Sequence, residues 1–425
     1  MSEQTRRDER HRASASMGGE IVIKLGLPLL VAVCCALASA TAGAADGKEP
    51  FRIGVLDDLS SSLADQQGPG DVVAAKMAAD DFGRTLLGRP IEILSADHQN
   101  KPDTGLLIAR QWYERDDVQA IVGLGHSGVA LAVQQLTREK SRIQLNTAAG
   151  SSDLTGKACS PNSVHWVFDS YALANATAKA VMKDGKADTW FFVTLDYAYG
   201  HALERDATSV VVANGGKSIG SVRHPLNSPD LASYLLQAQN SKAKIVALAN
   251  SGGDTINGIK QAKEFGLTTS GQRVVALTAF LTNIHAIGLD TAKGTIFADA
   301  FYWDQSDQAR AFSKRFAEKM GRPPTSLQAG AYSAVKHYLE AVKAVGSADA
   351  TTVMAKMKST PINDFMTKDG WIRSDGRVIR DMYIYEVKSP SESNGEWDLL
   401  KVIATIKGDD AFRPLNAGGC PLVVN

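Results

Sequence analysis

Cysteine is scarce in this sequence: there are four in 425 residues, and Cys34 and Cys35 lie inside an apolar leader. The eight histidines show no H-x-x-x-H spacing on one helix and have no cysteine partner, so no metal is expected. Surplus charge is also missing, with 46 Lys and Arg against 46 Asp and Glu. No basic block follows the N-terminus, which argues against a nucleic-acid partner, because phosphate binding needs a concentrated positive face. The first strand is not followed by G-x-G-x-x-G, Gly68-Pro69-Gly70 is too short to replace it, and G-x-x-x-x-G-K-[ST] is absent. No cofactor is therefore expected. Solenoid repeats and low-complexity tracts are lacking too, and beyond the leader no apolar run is long enough to span a bilayer.

What is present begins with that leader. Residues 1–20 are polar and arginine-rich, IVIKLGLPLLVAVCCALASA is almost wholly apolar, and small residues follow in ASATAGAAD. A basic start, an apolar core and an A-x-A exit describe a secretory signal over residues 1–44. Ala42-Gly43-Ala44 and Ala38-Ser39-Ala40 both suit cleavage, giving a mature start near Ala45 or Thr41. The polar lead is long, so Met17 is an alternative start, and an uncleaved anchor is the competing reading. Val31-Ala32-Val33 lacks the small residue that a lipoprotein box places before its cysteine, here Cys34, and Arg6-Arg7 is too remote from the apolar core for a twin-arginine signal. Removing the leader leaves Cys159 and Cys420. An even count in an exported chain favours a disulfide, with two buried thiols as the alternative.

The chain is 44% hydrophobic and long enough for two domains. FRIGVLDD, PIEILSAD, QAIVGL and SRIQLN read as strands alternating with helical patterns, among them residues 69–82 and 104–113. After VHWVFD the rhythm restarts with TWFFVTLD, KSIGSVRH, KIVALANS and RVVALTAF, and GTIFADAFYWD reads as a further strand. Alternation at this spacing predicts an α/β fold of two doubly wound parallel-sheet lobes, divided near residues 168–170. The tail carries hairpin signals at Asp375-Gly376 and Asn394-Gly395. In open parallel sheets, ligands bind beyond the carboxyl ends of strands, which selects residues 57–70, 123–128, 146–155, 195–200, 249–254 and 278–281. The acids Asp57, Asp58, Asp65 and Asp71 read as a solvated loop and helix-capping residues rather than a cation site.

The stretch AIVGLGHSGVALAVQQL poses the sharpest question. It is one residue short of the G-x-S-x-G nucleophile elbow, because Val129 stands where the last glycine belongs. Among His165, His201, His224, His285 and His337, none sits in a recognisable triad motif, and no HGGG-like oxyanion loop is present. The alternative is non-covalent: Gly125, His126, Ser127 and Gly128 open a helix whose N–H groups and serine hydroxyl suit a carboxylate. Residues 147–153 offer a second cradle, with N-capping by Ser152 or Asp153 as the structural alternative. The chain is expected not to be an enzyme.

From Phe51 onward, IGVLDDLSSSLADQQGPG, ILSADHQNKPD, VQAIVGLGHSGVALAV, NTAAGSSDLTG, LDYAYGHAL and IKQAKEFGL resemble the periplasmic substrate-binding proteins of branched-chain amino acid type ABC transporters. RPPTSLQAGAYSAVKHYLEAV and DGRVIRDMYIYEVKSPSES resemble one subgroup, associated with small organic and aromatic acids. The resemblance implies a type I periplasmic binding protein with a three-strand hinge: lobe 1 of residues 45–168 plus 301–377, lobe 2 of residues 169–300 plus 378–425. It implies a periplasmic monomer that takes a small organic acid to an inner-membrane ABC permease. The family's carboxylate-binding serine falls on Ser127, the following cradle on Ala148 and Gly150, the aromatic wall on Tyr199 with Tyr197 nearby, and other cleft positions on Asn250, Ser251, Gly252, Thr278 and Phe301. Ser62, His126, Ala149, Ser151 and Phe280 are further candidates for ligand contact. Amino-acid binders of the family use a second-cradle hydroxyl and a second-lobe acid to hold the ammonium, where this chain has Gly150 and Thr278. Ser151, Asp254 and Asp196 are the available substitutes. An amino-acid or amide binder or sensor therefore remains the second reading, and a serine hydrolase the third.

Overall fold

The computed structural model describes residues 48–183 and 185–423. The signal expected over residues 1–44 lies outside the described residues. A first sheet contains β1 (Phe51–Asp57), β2 (Thr85–Leu86), β3 (Arg89–Asp97), β4 (Val118–Gly123), β5 (Ile143–Asn146) and β6 (Ser163–His165), in the order β2-β3-β1-β4-β5-β6. All its pairs are parallel except the β2–β3 hairpin. β1 and β4 are buried almost throughout, because helices cover both faces of the sheet. These are α1 (Gly68–Phe82), α2 (Pro102–Glu114) and α3 (Ser127–Glu139).

The second sheet holds β7 (Thr189–Leu195), β8 (Lys217–His224), β9 (Ile245–Ala249) and β10 (Arg273–Ala276), all parallel, in the order β10-β9-β7-β8. Its helices are α4 (Ser170–Met182), α5 (Ala198–Ala213), α6 (Ala232–Asn240), α7 (Gly252–Glu264), α8 (Leu281–Ile287) and the short α9 (Leu289–Ala292). Strand order reverses between β1 and β4 in one sheet and between β7 and β9 in the other. The loops after those four strands are therefore where each half has room for a ligand.

β11 (Ile296–Asp299) is followed by α10 (Asp307–Met320), α11 (Ser326–Val345) and α12 (Ala350–Ser359), the last of which the sequence pattern did not reveal. α10 and α11 pack on α1, so this segment returns to the first sheet. Thr325 and Gln328 form a capping box that starts α11. β12 (Trp371–Ile372) and β13 (Val378–Ile379) then pair around Asp375-Gly376, as the turn signal predicts. β14 (Met382–Val387) and β15 (Leu400–Ile406) join β11 in an antiparallel sheet. β14 and β15 thus pair antiparallel around Asn394-Gly395, as the turn signal predicts. Those residues lie within a long connection that includes a short 3-10 turn at Pro390–Glu392, and Asp398 accepts the Asn394 N–H at 2.9 Å.

The chain passes between the halves three times: after β6, after β11 and close to β13. A fourth covalent link comes from the tail. Beyond β15, α13 (Gly408–Ala411) packs on α4, and Cys420 is bonded to Cys159 in the loop between β5 and β6, with 5.6 Å between their Cα atoms. Arg413 of this strap donates to the Ser152 carbonyl at 3.1 Å, and its own carbonyl accepts from Arg373 at 2.8 Å. Among the described residues, no helix is long and apolar enough to cross a membrane.

Candidate functional site

The loop after β4 is held from below. Gly123 has φ +98°, and a Cβ there would lie 2.7 Å from Asp57 Oδ2, so this position needs glycine for both conformation and space. The Gly125 N–H donates to Asp57 Oδ1 at 2.9 Å. His126 caps α3, its Nδ1 accepting the Val129 N–H at 3.4 Å. Ser127 is the first helical residue, buried, and its Oγ accepts the Ser151 N–H at 3.2 Å. That bond joins the two predicted cradles and leaves the Ser127 hydroxyl proton free to donate. Thr147 and Ala148 spend their N–H groups on the Gly123 carbonyl, whereas those of Ala149 and Gly150 have no partner among the described residues. The Ala149 carbonyl is fixed by Asn146 and His165, at 3.1 and 2.7 Å. Ser127, the α3 N-terminus, Ala149 and Gly150 together carry the donors to hold an anion without lysine or arginine.

The second half supplies aromatic surface. Tyr197 stacks on His126, ring centroids 4.5 Å apart, and Tyr199 lies 6.3 Å from Tyr197. A Cβ on Gly150 would sit 2.4 Å from the Tyr199 ring and 2.8 Å from that of Phe168, which is why this loop carries glycine. Tyr199 and Thr278 share a hydroxyl–hydroxyl hydrogen bond, and Phe280 packs on Phe168 at 5.6 Å. Burial pushes both tyrosine pKa values well above the ordinary range and that of His126 down to about 4, so all three are uncharged at neutral pH.

A separate seam joins the halves beside these rings. Gln66 Nε2 donates to Ser251 Oγ at 3.2 Å, and Gly252, at φ +58°, leaves room for the Ser62 carbonyl, 2.6 Å from where its Cβ would be. Ser62 Oγ is buried without a partner. Gln66, which sequence reasoning missed, becomes visible only through this contact across the halves. Asn250 turns inward, its amide nitrogen donating to His224 Nε2 and the Val193 carbonyl, both at 3.0 Å. Phe301 packs edge-on to Phe365 at 5.7 Å, and Tyr302 and Trp303 both donate to the Trp397 carbonyl. Surface hollows of about 450 Å³ near Arg273 and 590 Å³ near Phe312 lie away from these loops.

The possible ammonium partners are engaged. Asp254 accepts the Asn227 and Ser228 N–H groups at 3.0 and 2.7 Å, and Asp196 pairs with His201 at 2.7 Å. Ser151 Oγ accepts the Asp153 N–H at 3.3 Å. Ser127 has no histidine nitrogen as a hydrogen-bond partner among the described residues. Residues Gly123 to Gly128 also spell G-x-G-x-x-G between a strand and a helix, a match the sequence reading passed over. The adjacent strand β5 ends in Asn146, not in the acid that would bind a ribose.

Residues 50–396 match the family model described as periplasmic binding protein. The chain belongs to this family. Its branched-chain amino acid type is reflected in a solved ABC transporter periplasmic ligand-binding protein of that name from Burkholderia xenovorans, 39% identical, with a TM-score of 0.78 over 88% of this chain and 99% of that one. A periplasmic binding protein from Burkholderia mallei is 47% identical, with a TM-score of 0.86 over 88% of this chain and 100% of the other. The fold is shared with a Rhodopseudomonas palustris solute-binding protein in complex with 3,4-dihydroxybenzoic acid, at 23% identity and a TM-score of 0.75 over 85% and 98% of the two chains. This binding protein is thus a type I periplasmic binding protein, with two doubly wound lobes on a three-strand hinge.

Proposed function

We propose that this binding protein is exported and captures a small carboxylate, an aromatic or aliphatic organic acid, for an inner-membrane ABC permease. The lobes are residues 45–168 with 301–377 and residues 169–300 with 378–425, and closure of the cleft between them traps the ligand. The observation that carries the reading is the donor set at Ser127, Ala149 and Gly150 facing Tyr199 and Phe168, with Asp254 and Asp196 already committed elsewhere. A buried ammonium without an acid costs several kcal/mol, which favours a simple acid over a zwitterion. The dihydroxybenzoate complex of the Rhodopseudomonas relative lends this support at the level of fold. The second reading, an amino-acid ligand, draws on the name of the Burkholderia xenovorans relative.

Calorimetric titration with benzoate, 4-hydroxybenzoate, short aliphatic acids and leucine separates the two. Binding of leucine alone would reject the organic-acid reading. Ser127→Ala removes a hydrogen bond to a charged group, worth about 1.5–3 kcal/mol, so affinity for the acid that binds is expected to fall roughly ten- to hundredfold.

A further inference from the structure

The sequence pattern placed Asp57 and Asp71 in a solvated, helix-capping cluster, and the fold corrects this: both are fully buried. Asp57 ends β1, Asp71 lies in the first turn of α1, and their carboxyls face each other, with the Thr147 hydroxyl beside Asp71. Asp57 Oδ1 accepts the N–H groups of Gly125 and Asp58, at 2.9 and 3.1 Å. Asp57 Oδ2 and both Asp71 oxygens have no donor, and the Thr147 hydroxyl beside them is likewise without a completed bond.

No lysine or arginine among the described residues pairs with either acid. From the loop after β3, His98 Nε2 lies 3.9 Å from Asp57, but burial lowers its pKa to about 4 and leaves it neutral. Just past β1, the Asp58 carboxylate is taken up by Ser61, Leu63 and Asn100. From α11, the neutral amide of Gln328 packs at Gly70. Two touching carboxylates sealed from water without a counter-charge cannot both ionise. A proton between them supplies the missing donor. It also ties together the supports of both cradles, since Asp57 holds Gly125 and Asp71 faces Thr147.

We propose that Asp57 and Asp71 share a proton and act as positioning residues for the two carboxylate cradles, so that capture of an anionic ligand is linked to retention of that proton. This rests on the carboxylate reading above. Burial raises both acids, Asp71 to about 7 and Asp57 well above its usual range. An acid raised in the folded state stabilises the fold most below its ordinary pKa and loses that contribution as pH rises through the raised value. An anion bound above the pair strengthens the same linkage, so affinity falls with rising pH.

The test compares the full chain with Asp71→Asn and with Asp71→Ser, which keeps an O–H. In the wild type, benzoate affinity is expected to fall about tenfold between pH 6.5 and 8.5, and in both variants to stay flat. Without ligand, the stability difference between wild type and variants is expected to change over the same range. Superimposable ligand-free pH profiles would refute the shared proton. A proton-linked fold with pH-independent affinity would refute the positioning role. If benzoate binds at no pH, the titration is repeated with leucine: pH-dependent leucine affinity then upholds the pair while rejecting the organic-acid ligand, and flat leucine affinity refutes both.

Discussion

A methyl group is the smallest side chain that can be added at Gly150, and two rings already fill its space. Gly150→Ala must push Tyr199 or Phe168 aside and disturb the Tyr199–Thr278 bond. The expected cost is about 1–3 kcal/mol in urea unfolding, as for other overpacked sites. Ligand affinity should fall further than stability, because the displaced ring is part of the proposed wall. His126 makes the opposite demand on pH from Asp57 and Asp71. Its pKa drops from 6.5 to about 4 on burial, so it stabilises the fold above pH 6.5 and loses that contribution as pH falls toward 4. The full contribution is on the order of 3 kcal/mol. His126→Phe preserves the stack on Tyr197 and should flatten the acid limb of the stability profile, read from thermal unfolding between pH 4 and 7.

At the scale of elements, two of the three crossings and the tail meet at Arg377, which is wholly buried. Its guanidinium donates to the Phe168 carbonyl at 2.7 Å and to Val378 at 3.0 Å, lies 3.8 Å from Asp169 and stacks 4.7 Å over Phe412. Asp169 in turn caps α4 through the Ala172 N–H at 2.8 Å. Arg377→Met strands Asp169 without a counter-charge, and a loss of about 3–5 kcal/mol is expected in urea unfolding. Arg377 shows the limit of sequence reading. The β strands were legible because burial on both faces makes them continuous apolar runs, and the loops at their carboxyl ends followed from the alternation. The partners of Arg377, of Gln66 and of the Asp57–Asp71 pair are distant in sequence or change character on burial. An aspartate in a polar loop looks the same whether solvent or another carboxyl faces it. Phe301 shows the converse: it sits at a crossing, as the family resemblance implies, yet its ring packs on Phe365.

Across the whole molecule, the bond between Cys159 and Cys420 joins residues 261 apart. Chain entropy assigns a closed loop of this size about 5 kcal/mol, an upper figure that native strain reduces. Cys159→Ser with Cys420→Ser should therefore lower stability by about 2–5 kcal/mol, with little change in the wild type's circular dichroism spectrum. Reduction of the wild type should reproduce that loss. The same bond turns residues 159–420 into a covalent ring that contains the second and third sheets and α10 to α12. One peptide bond cut anywhere in that ring opens it without dividing the molecule. A protease that nicks a surface loop there leaves a single species of unchanged mobility on a non-reducing gel, and two fragments once the bond is reduced. In the exported setting proposed above, the tail's disulfide is thus also insurance against the first cut.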